Sequence, residues 1–298
     1  MSCLIGTIAK SLLSESADWS FTNAIEYAHT LPHHATSVTK VDCFTVAASR
    51  RVVGSPGSAV VHDEAYGAVC GVDGLLAQRE SSELVQEIDH ALFLGSFQAL
   101  AQKGSFSGFY FNQITERLSL FTDPLGQIPL YYSYNSHQVF FSTLPAAILE
   151  AAPPHTLHVN DRALSALLVY EHLMGEDTLF QEIKRVPPGS VIHFEIGSLS
   201  SPQKIHYWSI ENIQEQSYHS LSEAAEEVFP SFKRAITDSA SFCTRPCVFL
   251  TGGLDSRTIA GTLFDQTIPF QSFTYGIDSC RDIELAKLVA LEVKSPLT

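Results

Sequence analysis

The stretch from residue 247 to 257, Cys-Val-Phe-Leu-Thr-Gly-Gly-Leu-Asp-Ser-Arg, constrains the fold of this chain more than any other. A short apolar run ends in Thr-Gly-Gly, and a periodicity typical of a helix begins directly behind it. Two adjacent glycines let main-chain N–H groups turn toward one point and let a ligand approach without meeting a Cβ. The N-terminus of the following helix adds N–H groups and the positive end of its dipole. We therefore predict a strand, a loop and a helix that bind a phosphate or pyrophosphate.

Side chains of the same loop suit a nucleotide accompanied by a divalent metal. Asp255 is placed to bind the metal beside the anion, while Thr251 and Ser256 supply hydroxyl groups. The loop matches neither the dinucleotide fingerprint G-x-G-x-x-G nor the Walker A pattern. A bare G-G-x-D-S is also compatible with a structural turn, but the flanking strand and helix favour anion binding.

The overall composition excludes several classes of protein. The chain has 298 residues, 45% of them hydrophobic and 17% charged, which is typical of a compact globular protein of two domains. Its formal net charge of −14 disfavours nucleic acid and anionic membranes as partners. The six cysteines show no paired C-x-x-C spacing, so neither zinc nor a disulfide framework is indicated. No apolar run is long enough for a signal peptide or a membrane span, and we expect a cytoplasmic location.

From Val41 to about Trp208 the chain is dominated by short extended segments and turns. The pattern predicts a hairpin over 106–122, with a turn at Asp123-Pro124-Leu125-Gly126 behind it. Helices are predicted over 82–100 and 162–173. This part of the chain is typical of an α+β domain, which we place at residues 1–209.

The last part, residues 210–298, has a different pattern. A polar linker over 210–222 leads into a helix in which Pro230 is a candidate bend. From residue 247 the order is strand, helix, strand (270–275) and helix (282–293), the start of a doubly wound parallel sheet. The expected fold class is therefore α+β followed by α/β.

The loop Thr-Gly-Gly-Leu-Asp-Ser resembles the S-G-G-x-D-S pyrophosphate loop of the asparagine synthetase family, with Thr251 in place of Ser. Further segments resemble that family in the same order along the chain. They are Gly-Ser-Phe-Ser-Gly-Phe at 104–109, Phe-Thr-Asp-Pro-Leu-Gly-Gln-Ile-Pro-Leu-Tyr-Tyr at 121–132, Val-Pro-Pro-Gly at 186–189, Tyr-Trp at 207–208 and Phe-Thr-Tyr-Gly at 273–276. The resemblance covers roughly residues 69–298.

This resemblance implies an N-terminal glutaminase domain of the Ntn-hydrolase fold, a four-layer αββα sandwich, and a Rossmann-like ATP-pyrophosphatase domain. In that family a carboxylate attacks the α-phosphate of ATP, and an amine displaces AMP to give an amide. The implied cofactors are ATP and Mg²⁺, and the implied partners are a small carboxylate and an amine. By motif, the pyrophosphate contacts are Thr251, Gly252, Gly253 and Ser256, the metal ligand is Asp255, and the adenine contacts are Leu250, Tyr275 and Gly276.

The glutaminase part departs from the family pattern. The family needs a cysteine directly after the initiator Met, so that its free amine acts as the base for its thiol. Here the order is Met1-Ser2-Cys3, and the family's N-G-E segment reads Cys70-Gly71-Val72. Its R-H-R-G-P-D segment has no counterpart. We expect the domain to keep its fold and to have lost glutaminase activity, with Ser2 and Cys3 as the remaining candidates for a nucleophile.

Only 42 residues follow Ser256 (298 − 256), whereas the family's synthetase domain continues further. We therefore expect a fragment, a split gene product or a relic, acting as a homodimer or with a complementing C-terminal chain. One alternative is a catalytically silent remnant that serves as an interaction module. Another is a tRNA-modifying ATP pyrophosphatase, which the acidic charge and the absence of a C-x-x-C pair disfavour.

Overall fold

The computed structural model describes residues 3–9, 20–31, 34–41, 43–51, 58–74, 81–95, 97, 104–153, 155–199, 201–241, 243, 245–277 and 280–298. The chain forms two compact units, unit 1 (Met1–Ile213) and unit 2 (Gln214–Thr298). The division therefore lies slightly beyond the boundary expected after residue 209.

Within its described residues, unit 1 is a mixed α/β fold built on two antiparallel sheets of six strands each. The first sheet, in the order β10-β8-β9-β1-β3-β2, contains β1 (Cys3–Ala9), β2 (His34–Val41), β3 (Phe44–Arg51), β8 (Tyr131–Tyr134), β9 (Gln138–Ser142) and β10 (Lys184–Arg185). The second, in the order β12-β11-β7-β6-β5-β4, contains β4 (Ser58–Asp63), β5 (Ala68–Gly74), β6 (Phe106–Asn112), β7 (Arg117–Thr122), β11 (Ser190–Glu195) and β12 (Gln203–His206).

The two sheets pack face to face around a core of aromatic rings. The ring centroid of Phe109 in β6 lies 5.2 Å from that of Phe44 in β3 and 5.1 Å from that of Phe141 in β9. Gly6 and Gly71 make room for these rings, because a Cβ at either position would collide with Phe141 or Phe109. Small residues on the strands thus allow large rings to fill the space between the sheets.

Helices cover the outer faces of both sheets in unit 1. The helices α1 (Phe21–Thr30) and α3 (Pro145–Ala151) share an apolar cluster with Cys3 and Ile5 of β1. On the second sheet, α2 (Ser81–Leu94) shares a cluster with residues of β5 and β6. The layers therefore run helix, sheet, sheet, helix, which is the order that the resemblance implied.

The structure corrects the ends of two predicted helices in unit 1. Helix α2 ends at Leu94 rather than at 100, since Gly95 has a positive φ of 63°. Helix α4 (Asp161–Tyr170) ends before 173, because Glu171 is in the left-handed region at a φ of 60°. The apolar periodicity of a sequence does not reveal where a residue in the left-handed region ends a helix. The predicted hairpin over 106–122 is confirmed by the pairing of β6 with β7.

Unit 2 contains a parallel pair of strands, β13 (Cys247–Phe249) and β14 (Gln271–Phe273). Its helices are α5 (Leu221–Ser241), α6 (Leu254–Asp265) and α7 (Arg281–Glu292). Residues 296–298 extend along β14 as well, with the main-chain N–H of Thr298 donating to Ser272 O at 3.0 Å. The parallel pair agrees with the predicted order of elements, and a full doubly wound sheet stays a prediction.

The apolar cluster of unit 2 joins one face of the parallel pair to the helices. Its buried members are Ala240, Val248, Leu250, Ala260, Leu263, Phe270, Ala286, Ala290 and Val293. Pro230 lies inside α5, which the structure nevertheless shows as one helix. Among the described residues of the whole chain, no helix is both long and apolar enough to cross a membrane.

Candidate functional site

The Thr-Gly-Gly loop lies where the sequence predicts, between β13 and α6. Helix α6 begins at Leu254, directly after Gly253, and its N-terminus receives no side-chain cap. The first N–H groups of a helix have no partner within the helix, so these groups are available to an acceptor. Together with the helix dipole they form a site that suits an anion.

Hydroxyl groups fix the shape of this loop from inside. Ser256 Oγ accepts a hydrogen bond from the main-chain N–H of Thr251 at 3.1 Å. Thr251 Oγ1 accepts one from the N–H of Gly253, also at 3.1 Å, and lies 3.1 Å from Ser256 Oγ. The two hydroxyls predicted to contact pyrophosphate therefore hold the loop itself, and a ligand would compete for them.

Two charged residues beside the loop were given no role in the sequence analysis. Arg257, in the first turn of α6, donates from Nε to Gly253 O at 3.1 Å, so its guanidinium lies beside the loop. Asp282, in the first turn of α7, lies so close to Gly252 that a Cβ there would collide with its carboxylate oxygen. The sequence does not predict the contact between Asp282 and Gly252. An acidic residue in the first turn of a helix is common simply because it interacts favourably with the helix dipole.

The predicted adenine contacts lie at the same edge of the parallel pair. Because parallel neighbours end at one edge, Tyr275 and Gly276 after β14 come close to the loop after β13. The Tyr275 ring is 76% exposed and stacks on Phe249 with centroids 5.0 Å apart. Leu250 is fully buried in the apolar cluster, and its main-chain N–H donates to Phe273 O at 2.9 Å.

The metal prediction rests on exposed carboxylates at this edge. Asp255 is an exposed residue in the first turn of α6. No group of three or more His, Cys, Asp or Glu among the described residues is arranged to hold a metal ion. Mg²⁺ usually keeps several waters and takes one or two carboxylates plus substrate phosphates, so Asp255 fits that chemistry.

A cavity of about 730 Å³ opens at the opposite edge of the parallel pair. Its lining includes Pro246 and Phe270, which directly precede β13 and β14, and Pro296, which begins the extended segment 296–298. None of the predicted site residues lines it. The predicted anion site therefore lies outside this cavity.

In unit 1 a buried carboxylate is linked to the first strand through a hydroxyl. Thr143 Oγ1 donates to Asp73 Oδ2 at 3.1 Å and accepts from the main-chain N–H of Leu4 at 2.9 Å. Asp73 is 3% exposed. Since β5 belongs to one sheet and β1 to the other, this chain of bonds joins the two sheets beside residue 3. Sequence analysis missed both Asp73 and Thr143.

The structure describes only one of the two candidate nucleophiles, Ser2 and Cys3. Ser2 lies outside the described residues. The side chain of Cys3 is 1% exposed and belongs to the apolar cluster under α1 and α3. Burial of this kind blocks access of a substrate to the thiol. Cys70 and Val72, which the resemblance aligns with the family's Asn and Glu, are buried in the cluster under α2.

Comparison with known proteins relates unit 1 to amidotransferases. Residues 70–208 match the family model described as a glutamine amidotransferase domain. The chain is 23% identical over 194 residues to asparagine synthetase [glutamine-hydrolyzing] 1 of Bacillus subtilis (strain 168). That alignment covers 63% of this chain and 29% of the relative, so the chain spans less than a third of the relative's length.

Two solved structures are also similar to this chain, both with TM-scores below 0.5. One is glutamine phosphoribosylpyrophosphate amidotransferase from B. subtilis in complex with ADP and GMP, with a TM-score of 0.42, 9% identity and coverage of 99% of this chain and 90% of that chain. The other is described as an allosteric regulatory enzyme of purine biosynthesis, with a TM-score of 0.41, 10% identity and coverage of 70% and 49%. Residues 70–208, somewhat less than half of the chain, are thus similar to a glutamine amidotransferase domain.

Proposed function

We propose that this protein is an asparagine synthetase-like, ATP-dependent ligase that forms amides and whose amidotransferase domain no longer hydrolyses glutamine. The observation that carries the proposal is the loop from Thr251 to Ser256, held between a strand and an uncapped helix N-terminus. The family match of residues 70–208 and the distant asparagine synthetase relative support the same assignment.

In this function the loop binds and orients the β- and γ-phosphates of the substrate ATP. The N–H groups at the start of α6 face the phosphates, and the Arg257 guanidinium adds positive charge. Asp255 would hold Mg²⁺, which supplies charge neutralisation on the pyrophosphate as it leaves. The exposed Tyr275 ring, stacked on Phe249, offers a flat surface to a purine. Positioning and charge stabilisation of this kind account for most of the catalysis in phosphoryl and nucleotidyl transfer.

Nucleotide binding is the direct test. Isothermal titration calorimetry of the full chain with a non-hydrolysable ATP analogue and Mg²⁺ should show saturable binding. Ser256→Ala should weaken it by about tenfold, since it removes a hydroxyl that shapes the loop. Thr258→Ala is the matched control, because its hydroxyl bonds to Leu254 O one turn away. Absence of binding, or equal affinity in both variants, would contradict the proposal and favour a catalytically silent interaction module.

Loss of glutaminase activity is tested separately. The buried Cys3 thiol and the replacement of N-G-E by Cys70-Gly71-Val72 support this part of the proposal. We expect no release of glutamate from glutamine above background. Release that disappears in Cys3→Ala or Ser2→Ala would show an active glutaminase and would leave the nucleotide result untouched. ATP–pyrophosphate exchange across a set of carboxylates then addresses the ligase chemistry itself.

A further inference from the structure

The outer face of the second sheet carries a small polar cavity that the proposed function does not use. It has a volume of about 160 Å³ and lies in unit 1 between α2 and the β6–β7 hairpin. Its lining residues, all polar except Leu92, are Asp89, Leu92, Tyr110, Asn112, Thr115, Arg117, Ser119 and His193. At about 30 Å³ per water, the cavity has room for roughly five waters or one small metabolite.

The sheet register brings these polar residues to one face. Tyr110 pairs with Ser119 and Ser119 with His193 across three neighbouring strands, and Asn112 pairs with Arg117. Since side chains alternate between faces along a strand, all five point to the same side. The cavity is thus a product of strand pairing rather than of one mobile loop.

A buried histidine with an unpartnered nitrogen lines this cavity. His193 is 9% exposed, and its Nδ1 lies 2.8 Å from Ser119 Oγ. Among the described residues Nε2 has no hydrogen-bond partner. Burial, followed by the nearby charge of Arg117, lowers the pKa of His193, so the ring is neutral at pH 7. A neutral ring nitrogen lining a polar cavity is suited to a hydrogen bond with a ligand.

Two opposite charges line the cavity without pairing with each other. Asp89 Oδ1 accepts a hydrogen bond from Tyr110 Oη at 2.6 Å, and its second oxygen has no partner among the described residues. Arg117 uses Nε for Glu195 at 2.6 Å, which leaves its terminal nitrogens to solvent or ligand. The lining therefore offers an anionic acceptor at Asp89 and cationic donors at Arg117.

The pair of Ser119 and His193 is better suited to binding than to hydrolysis. Ser119 is only 2% exposed. A serine nucleophile also needs its histidine oriented by a carboxylate on the other ring nitrogen, and among the described residues none bonds to Nε2. The pair therefore fixes the ring for recognition.

We infer that this cavity binds a small zwitterion, an α-amino acid with a small side chain. The ammonium group would lie at Asp89, and the carboxylate would accept hydrogen bonds from Arg117 and from Nε2 of His193. The site is separate from the nucleotide loop, and its existence does not depend on the ligase proposal.

Calorimetry of the full chain with glycine and L-serine tests this inference, with acetate, ethylamine and glycerol as single-function probes. The amino acids should bind in a saturable manner. Each single-function probe should bind about tenfold or more weakly, because each forgoes at least one charge-assisted hydrogen bond. Glycine should also shift the ¹⁵N resonance of the His193 ring. Equal binding of acetate or glycerol would overturn the inference in favour of an anion or polyol site, and absence of amino-acid binding would refute it.

Variants separate the two ends of the ligand. Asp89→Asn and Arg117→Gln should each weaken glycine binding about tenfold or more. Glu116→Gln and Arg162→Gln are matched controls, since neither residue lines the cavity and both are exposed. Retained affinity in both cavity variants, with the fold verified by tryptophan fluorescence, would overturn the inference.

Discussion

The carboxylate of Asp282 lies directly against Gly252, so that it occupies the space a side chain at residue 252 would need. This contact joins the loop after β13 to the first turn of α7, two segments that are separate in sequence. Residue 252 must therefore be a glycine because a side chain would have no space there. This requirement is separate from the room that an approaching ligand would need.

Replacing this glycine should damage unit 2 locally. In Gly252→Ala the new Cβ would meet Asp282, and it would also lie 2.9 Å from Leu285 Cδ1. We expect a loss of about 1–3 kcal/mol in the free energy of unfolding and weaker nucleotide binding. Circular dichroism on urea titration and calorimetry measure the two effects.

Gly261 is the matched control for that substitution. It lies inside α6, and a Cβ there would meet nothing within 4 Å. Gly261→Ala should stabilise the protein by about 0.5–1 kcal/mol, since alanine favours the helix. If both alanines had the same effect, the contact between Gly252 and Asp282 would not be what constrains the loop.

The hydroxyl of Thr143 should be required for the junction between the two sheets of unit 1. Thr143→Val keeps the shape but removes the donor to Asp73 and the acceptor for the Leu4 N–H. Leaving buried polar groups without these partners should lower the free energy of unfolding by about 1–3 kcal/mol. Tryptophan fluorescence follows this transition, because Trp208 belongs to unit 1. Thr143→Ser, which keeps the hydroxyl, should retain most of the stability, and an equal loss in both variants would argue against the bond.

The stability of unit 1 should depend on pH through His193. Its pKa is lowered in the folded state by burial and by Arg117, so below the ordinary value of about 6.5 the unfolded chain binds more protons. The contribution is therefore fully present above pH 6.5 and is lost as the pH falls toward the folded pKa, with a slope of at most about 1.4 kcal/mol per pH unit. His193→Asn should reduce this slope in urea titrations at successive pH values.

Ser119→Ala provides the comparison for the pH experiment. It removes the hydroxyl partner of His193 without removing the titrating ring. The slope should persist although the stability falls. A slope that is unchanged in His193→Asn would show that other groups cause the pH dependence.

Pro230 should destabilise the helix that contains it. It lies in the interior of α5 and is exposed, so its ring contributes little burial while it removes a helical hydrogen bond. Pro230→Ala should stabilise α5 by up to about 3 kcal/mol. Hydrogen exchange followed by mass spectrometry should show slower exchange over 221–241, whereas faster exchange would contradict the prediction.

Features that depend on residues close together in the sequence were predictable from the sequence alone. The hairpin over 106–122, the strand, loop and helix around Thr251–Ser256, and the parallel order of β13 and β14 all follow from local periodicity and turn residues. The ends of α2 and α4 were wrong, because a left-handed Glu171 or Gly95 ends a helix without changing the apolar pattern. The sequence analysis made no prediction for β1, and only the packing of this strand places Cys3 under the helices rather than at a site.

The sequence by itself determined the helices and strands and the chemistry of the loop from Thr251 to Ser256, because both depend on residues that are adjacent in the chain. The tertiary structure alone decided which distant groups meet: Asp73 with Thr143, Ser119 with His193, and Gly252 with Asp282. The physical reason is that periodicity specifies which face of a strand or helix is buried but not the partner that covers it. Strand register and helix packing select those partners, and with them the position of every charge and hydroxyl at the candidate sites.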